Sequence, residues 1–180
     1  MFNDYNKLKV LRVFFDNPLP EGGGFQLREL SRKIKLAPKS VKIYLKELEK
    51  EGLITVKKHR AHGYPLYYAN RDSEDFLFCK KINTLLLIKE SGLIEYLNDA
   101  CIPDVIILFG SAAKGEDTTA SDLDLFIQCK EKKLELEKYE KFINRNINIF
   151  FDEDVNKLSK ELRSNIINGV ILSGYIDLGG

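Results

Sequence analysis

An α+β chain of two small modules is what three observations in the sequence predict. Residues 1 to about 70 carry helix-period apolar patterns and one strand pair, whereas the later residues contain two continuous apolar strands, Val105–Phe109 and 125–127. Charge divides in the same way: residues 1–75 hold 15 Lys and Arg against 10 Asp and Glu, and the rest hold 13 against 17. A basic module therefore precedes an acidic one. The expected boundaries are 1–72 for the first, 73–92 for a connecting helix and 93–180 for the second.

Each element has its own signal. Leu8, Leu11, Val13, Phe14 and Phe15 mark an apolar helix that ends before Pro18, followed by a Pro/Gly loop through Gly24. Leu27, Leu30 and Ile34 mark a second helix over 26–34. Leu36, Ala37 and Pro38 break it, and Val41, Leu45 and Leu48 at i, i+4 and i+7 mark a third over 40–51. Two short helices joined by such a turn are a helix-turn-helix candidate. Gly52 suits a helix end, and residues 53–68 read as a β-hairpin with a basic tip. Ser73, Glu74 and Asp75 start the connecting helix, whose apolar surface includes Phe76, Phe78, Ile82, Leu85, Leu86 and Ile88. Packing within the chain and a two-fold contact with a second copy both remain open for it. A helix over 93–100 leads into the first apolar strand. After the second strand come an amphipathic helix over 131–144, a strand over 146–151, a helix near 155–167 and a short strand at 169–172. Together these make a small mixed sheet with flanking helices.

Composition narrows the class. With 180 residues, 44% hydrophobic and 31% charged, the chain is of ordinary globular make-up. Cys79, Cys101 and Cys129 are odd in number and widely spaced, which excludes a disulfide framework or a paired zinc motif. His59 and His62 lack a third ligand nearby and read as part of a basic loop. No apolar stretch has the length of a bilayer span or the form of a secretory leader, so no membrane partner is expected and the expected location is the cytoplasm.

The chemistry concentrates between residues 110 and 124. Asp122 and Asp124 are i and i+2 on an expected strand, so both carboxylates project from one face and can share a hard cation such as Mg²⁺. Gly110 permits a sharp turn after the first strand. Ser111 offers a hydroxyl and backbone N–H groups at the start of a short helix, a place that favours phosphate. Gly115 relieves crowding and Lys114 adds a positive charge. These are the parts of a metal-assisted phosphoryl-transfer site.

The pattern Gly110-Ser111, Gly115, Ser121-Asp122-Leu123-Asp124-Leu125 between two apolar strands resembles the signature of the DNA polymerase β superfamily of nucleotidyltransferases, and most closely its minimal prokaryotic domains. The resemblance covers roughly 93–180. It implies a Mg²⁺-dependent transfer of a nucleoside monophosphate from a nucleoside triphosphate to a hydroxyl on a protein or nucleic-acid acceptor. It also implies that Asp122 and Asp124 hold the metal, and that Gly110, Ser111, Lys114, Gly115 and Ser121 form the nucleotide-binding set. Domains of this kind often serve in toxin–antitoxin systems. In the family a third carboxylate sits on a later strand, and the matching position holds Asn148, which cannot take a proton at neutral pH. Asp152, four residues on, is either its substitute or part of a solvated acidic turn with Glu153 and Asp154.

The run from Leu45 to Ile54 resembles the end of the recognition helix in bacterial and archaeal winged-helix regulators, a likeness that extends over about 4–70. It implies double-stranded DNA as partner. Lys39, Ser40, Lys42 and Lys46 would face the major groove, Arg28 and Arg32 the phosphates, and Lys57, Lys58 and Arg60 would lie in the wing. A protein-interaction role for the same face stays open. Two functions follow: a DNA-binding nucleotidyltransferase, or a transcriptional regulator or antitoxin-type protein whose inactive nucleotidyltransferase fold is a nucleotide sensor or dimer scaffold.

Overall fold

The computed structural model describes residues 4–18 and 23–176. It divides into two compact units, 1–80 and 81–180. Residues 19–22 of the expected Pro/Gly loop lie outside the described residues.

The first unit contains α1 (Tyr5–Asp16), α2 (Leu27–Ile34), α3 (Pro38–Lys50) and an antiparallel hairpin of β1 (Ile54–Lys58) with β2 (Pro65–Ala69). Asp4 starts α1 by accepting hydrogen bonds from the Asn6 and Lys7 amides. Pro38 opens α3 instead of preceding it: the first helical position has no intrahelical use for an N–H, so proline fits there. Phe14, Phe15, Leu30, Val41, Leu45, Leu48 and Leu53 fill one core. Phe76 and Cys79, from the start of α4 (Glu74–Ser91), belong to it too.

Lys7 is a buried cation in this unit. Its Nζ lies 2.5 Å from Glu51 Oε1 and 3.3 Å from Glu47 Oε2, which ties α1 to the end of α3. Burial alone would lower its pKa, but the hydrogen bonds and charges of Glu51 and Glu47 outweigh that and raise it above the usual 10.5. The stabilisation is therefore present below pH 10.5 and is lost only as pH rises through the elevated pKa.

The second unit follows with α5 (Leu93–Cys101), β3 (Val105–Phe109), α6 (Gly110–Lys114), β4 (Leu123–Gln128), α7 (Glu137–Ile143), β5 (Ile147–Asp152), α8 (Lys160–Ile167) and β6 (Val170–Gly174). Its sheet runs in the order β5-β4-β3-β6, with β4 and β5 parallel and the other pairs antiparallel. The sheet is thus mixed, as expected. Leu123, Leu125, Ile127 and Ile147 face one core with Leu97, Tyr139 and Ile143, while Val105, Ile107, Phe109 and Phe126 face another with Val155 and Ile166.

Two expected helices are shorter than their patterns suggest. Residues 131–136 are not helical, because Leu134 and Leu136, two apart, both pack on the core, and the Glu135 amide donates to the Tyr96 hydroxyl at 2.9 Å. The helix expected near 155–167 is split into a 3₁₀ turn at Val155–Lys157 and α8, because Ser159 caps α8 by accepting from the Leu162 amide. Asp122 lies one residue before β4 and not within it.

Glu47 and Glu51 keep 48% and 40% of their side chains exposed, whereas Lys7 keeps 8%. Removing the cation leaves two carboxylates that water can solvate, but removing both acids strands a buried ammonium. Urea denaturation is expected to show the Glu47→Gln/Glu51→Gln double variant destabilised by about 3 kcal/mol, and Lys7→Met by clearly less.

Candidate functional site

The parallel register of β4 and β5 assembles the acidic site. Asp124 pairs with Asn148 and Leu123 with Ile147, so the Asp-Leu-Asp run at 122–124 lies beside the Asn-Ile-Asn run at 146–148. Side chains at 124 and 148 share a face of the sheet. Asn148 Nδ2 donates to Asp122 Oδ2 at 3.0 Å and to Asp124 Oδ1 at 3.3 Å. Asn146 Nδ2 donates to the other Asp122 oxygen at 3.1 Å. Two carboxylates thus converge on a single amide nitrogen.

Gly110, the first residue of α6, follows β3 beside this pair. Its φ of +71° suits glycine, and a Cβ there would lie 2.6 Å from Asp124 Oδ2. The turn and the carboxylate therefore share space that no other residue type leaves. Ser111 follows, half-buried, in the first turn of α6, and Gly115 closes that helix with φ +76°. Lys114 is exposed at its last residue. Ser121 is turned to another use: its Oγ accepts from the Thr118 amide at 2.9 Å and lies 3.3 Å from the Thr118 hydroxyl, which closes the loop before Asp122.

The loop has a second brace. Asp117, fully buried, forms an ion pair with Arg145, which is itself 8% exposed. Glu140 of α7 accepts the Ile147 amide at 3.0 Å, so helix, loop and β5 are tied at the same end of the sheet. A cleft of about 440 Å³ opens here, lined by Ser121, Asp122, Glu137, Glu140, Lys141 and Asn146 among others.

The donor chemistry fits a hard divalent cation. Asp122 and Asp124 direct anionic oxygens at one point, the mode by which Mg²⁺ is commonly held together with waters and phosphates. Among the described residues no group of three or more His, Cys, Asp or Glu gathers to hold a metal, so the protein contributes a pair with an amide beside it. Asp152 is not brought to the pair. It lies four residues along β5, opposite Gln128, and its carboxylate accepts the Asp154 amide at 2.9 Å. That separation is about 13 Å along the strand.

Sequence reasoning missed Asn146 and the Asp117–Arg145 pair. A signal for the first was present: polar–apolar–polar at 146–148 repeats the form of 122–124, as two adjacent strands of one face would. Nothing local marks the second, whose partners are 28 residues apart.

In the first unit, Arg28, Arg32, Lys39, Lys42, Lys46, Lys57, Lys58 and Arg60 are all exposed and Ser40 is half-buried. Lys39, Lys42 and Lys46, with the 53%-exposed Ile43, form one stripe of α3 at i, i+3, i+4 and i+7. At the hairpin tip His59 stacks on His62 and Tyr64, with ring centroids at 5.0 and 4.7 Å. The His59 ring also accepts the Ala61 and His62 amides through Nδ1. That pair of acceptor contacts gives the histidines a turn-forming use.

Residues 91–175 match the family model described as Polymerase beta, Nucleotidyltransferase, and residues 22–55 the one described as Winged helix-turn-helix DNA-binding. No curated protein and no solved structure matches the chain. Among the described residues no helix is long and apolar enough to cross a membrane.

Gly110→Ala tests the shared space directly. The added methyl is expected to displace the Asp124 carboxylate and to strain the left-handed turn, lowering stability by about 1–2 kcal/mol. Isothermal titration with Mn²⁺ or Mg²⁺ should show weakened binding at a temperature where circular dichroism still reports a folded protein.

Proposed function

We propose that this chain, in which a winged helix-turn-helix precedes a polymerase β nucleotidyltransferase domain, is a DNA-binding regulator that holds a magnesium-bound nucleoside triphosphate without turning it over. The observation that carries the reading is Asn148, whose amide nitrogen bridges Asp122 and Asp124. An amide neither carries charge nor accepts a proton near neutral pH. The hydroxyl of an acceptor would find no carboxylate base at that position, while both oxygens needed to bind a metal-nucleotide remain. When bound, the cation would neutralise phosphate charge. Gly110 leaves the Asp124 carboxylate room, Ser111 offers its hydroxyl and amide to phosphate, and Asn146 orients Asp122.

The DNA-binding part of the reading rests on the basic stripe of α3 and the basic hairpin tip. Lysines on such a stripe attract phosphate in a salt-dependent manner and specify little sequence.

Nucleotidyl transfer is the second reading, and one observation favours it: the cleft beside Asp122 offers room for an acceptor hydroxyl next to the carboxylate pair. On that reading the proton leaves to water or to the substrate phosphates.

The two separate on turnover. With Mg²⁺ and labelled ATP the protein is expected to retain label at equilibrium and to yield no labelled product, and Asp122→Asn/Asp124→Asn is expected to lose the bound label. Labelled product on the protein or on an added acceptor, absent from the double variant, would transfer the conclusion to the second reading. For the DNA role, Lys39→Ala/Lys42→Ala/Lys46→Ala should flatten the dependence of log affinity on log salt by roughly 0.9 for each phosphate that is no longer neutralised. Wild-type affinity for duplex that ignores salt would count against the stripe.

A further inference from the structure

Phe150 is an exposed aromatic on the face that bears the carboxylate site. It stands two residues beyond Asn148 on β5, on the same side of the sheet, about 7 Å along the strand. Along the strand its neighbours on that face are polar, Asn148 before it and Asp152 after it, while the residue opposite it on β4 is the buried Phe126. It is 41% exposed and sits at the margin of the apolar cluster that contains Phe109 and Phe126. β5 is an edge strand, where an exposed aromatic invites unwanted pairing and a charged or small polar residue is the usual protection.

The ring is nevertheless held. Its centroid is 5.4 Å from that of Phe109 at an interplanar angle of 68°, an edge contact that fixes the plane of Phe150 from one side. Phe109 is buried and immediately precedes Gly110, so the aromatic pair adjoins the turn that meets Asp124. An oriented, half-open aromatic beside a phosphate-binding turn is a surface for a flat ring.

We propose that Phe150 is the stacking platform for the base of a nucleotide whose phosphates lie at the Asp122–Asp124 pair. The inference rests on the nucleotide-binding reading above and adds to it where the base goes and how it is recognised. A base is a sugar and one or more phosphates away from the metal-bound oxygens, a reach that includes Phe150. Every base has a π face, so recognition by stacking is tolerant of base identity. Purine triphosphates, with the larger ring, are expected to bind more tightly than pyrimidine ones.

The chain contains no tryptophan, so Phe150→Trp supplies a single indole reporter at the proposed platform. With Mg²⁺ present, ATP and GTP are expected to quench its fluorescence, and inorganic tripolyphosphate, which has no base, is expected to leave it unchanged while still binding by calorimetry. Phe150→Ala should bind ATP about ten-fold more weakly or worse and tripolyphosphate as the wild type does. Phe150→Leu, which keeps the apolar volume and loses the π face, guards against a folding defect and should weaken ATP similarly; Phe150→Tyr should retain it. ATP affinity unchanged in folded Phe150→Ala and Phe150→Leu overturns the platform and leaves the nucleotide reading intact. Failure of wild type to bind either ATP or tripolyphosphate removes both.

Discussion

The parallel register of β4 against β5 is the constraint on which the acidic site depends. It is fixed on the opposite face of the sheet, where Leu123, Leu125, Ile127 and Ile147 are buried in one core. A slip of β5 by one residue would turn Ile147, Ile149 and Phe151 out of that core and onto the face that bears the carboxylates, and the apolar cost forbids it. The same lock sets Asp124 beside Asn148 and Asp122 within reach of Asn146 and Asn148. Site geometry is thus a consequence of apolar packing through the strands, and residues that touch no ligand hold it.

Given that register, the identity of residue 148 decides the electrostatics. Two carboxylates aimed at one point repel each other and need either a cation or hydrogen-bond donors between them. Three hydrogen bonds from the amides of Asn146 and Asn148 supply the donors. An acid at 148 would add a third negative charge and make the pair depend more strongly on metal. The amide makes the pair tolerable without a cation. The buried Asp117 is handled differently: a nearly buried Arg145 pairs with it, an arrangement in which losing either partner strands a charge away from water.

Much of this is legible in the sequence, and what is not has a physical reason. The Gly110–Asp124 spacing and the apolar strands on either side announce the turn and the carboxylate pair, because strand alternation and glycine geometry are local properties. The place of Asn148 is also legible, since it follows from counting along one strand. The space that Gly110 yields to Asp124 is not, because it depends on the pairing of β3 with β4. The pattern over 131–144 overstates its helix for the opposite reason: its charged residues favour a helix locally, but packing of Leu134 and Leu136 wins. Ser121 illustrates a third kind of limit, since a hydroxyl suited to phosphate is equally suited to close a turn on Thr118.

The retained carboxylates do not by themselves argue for chemistry. A site that only binds a metal-nucleotide needs the same convergent oxygens, the same glycine turn and the same bracing loop as one that transfers a nucleotide. The two kinds of site differ in where the acceptor's proton can go, and on the proposed reading the amide at residue 148 bears on that difference. A ligand shifts a protein between states only by as much as it prefers one of them. A site without turnover lets occupancy follow nucleotide concentration by mass action, which is what the proposed regulator would require. A site that consumed its ligand would report instead on a balance of supply and reaction rate. On the proposed reading, Asn148 therefore suits a domain whose output is occupancy.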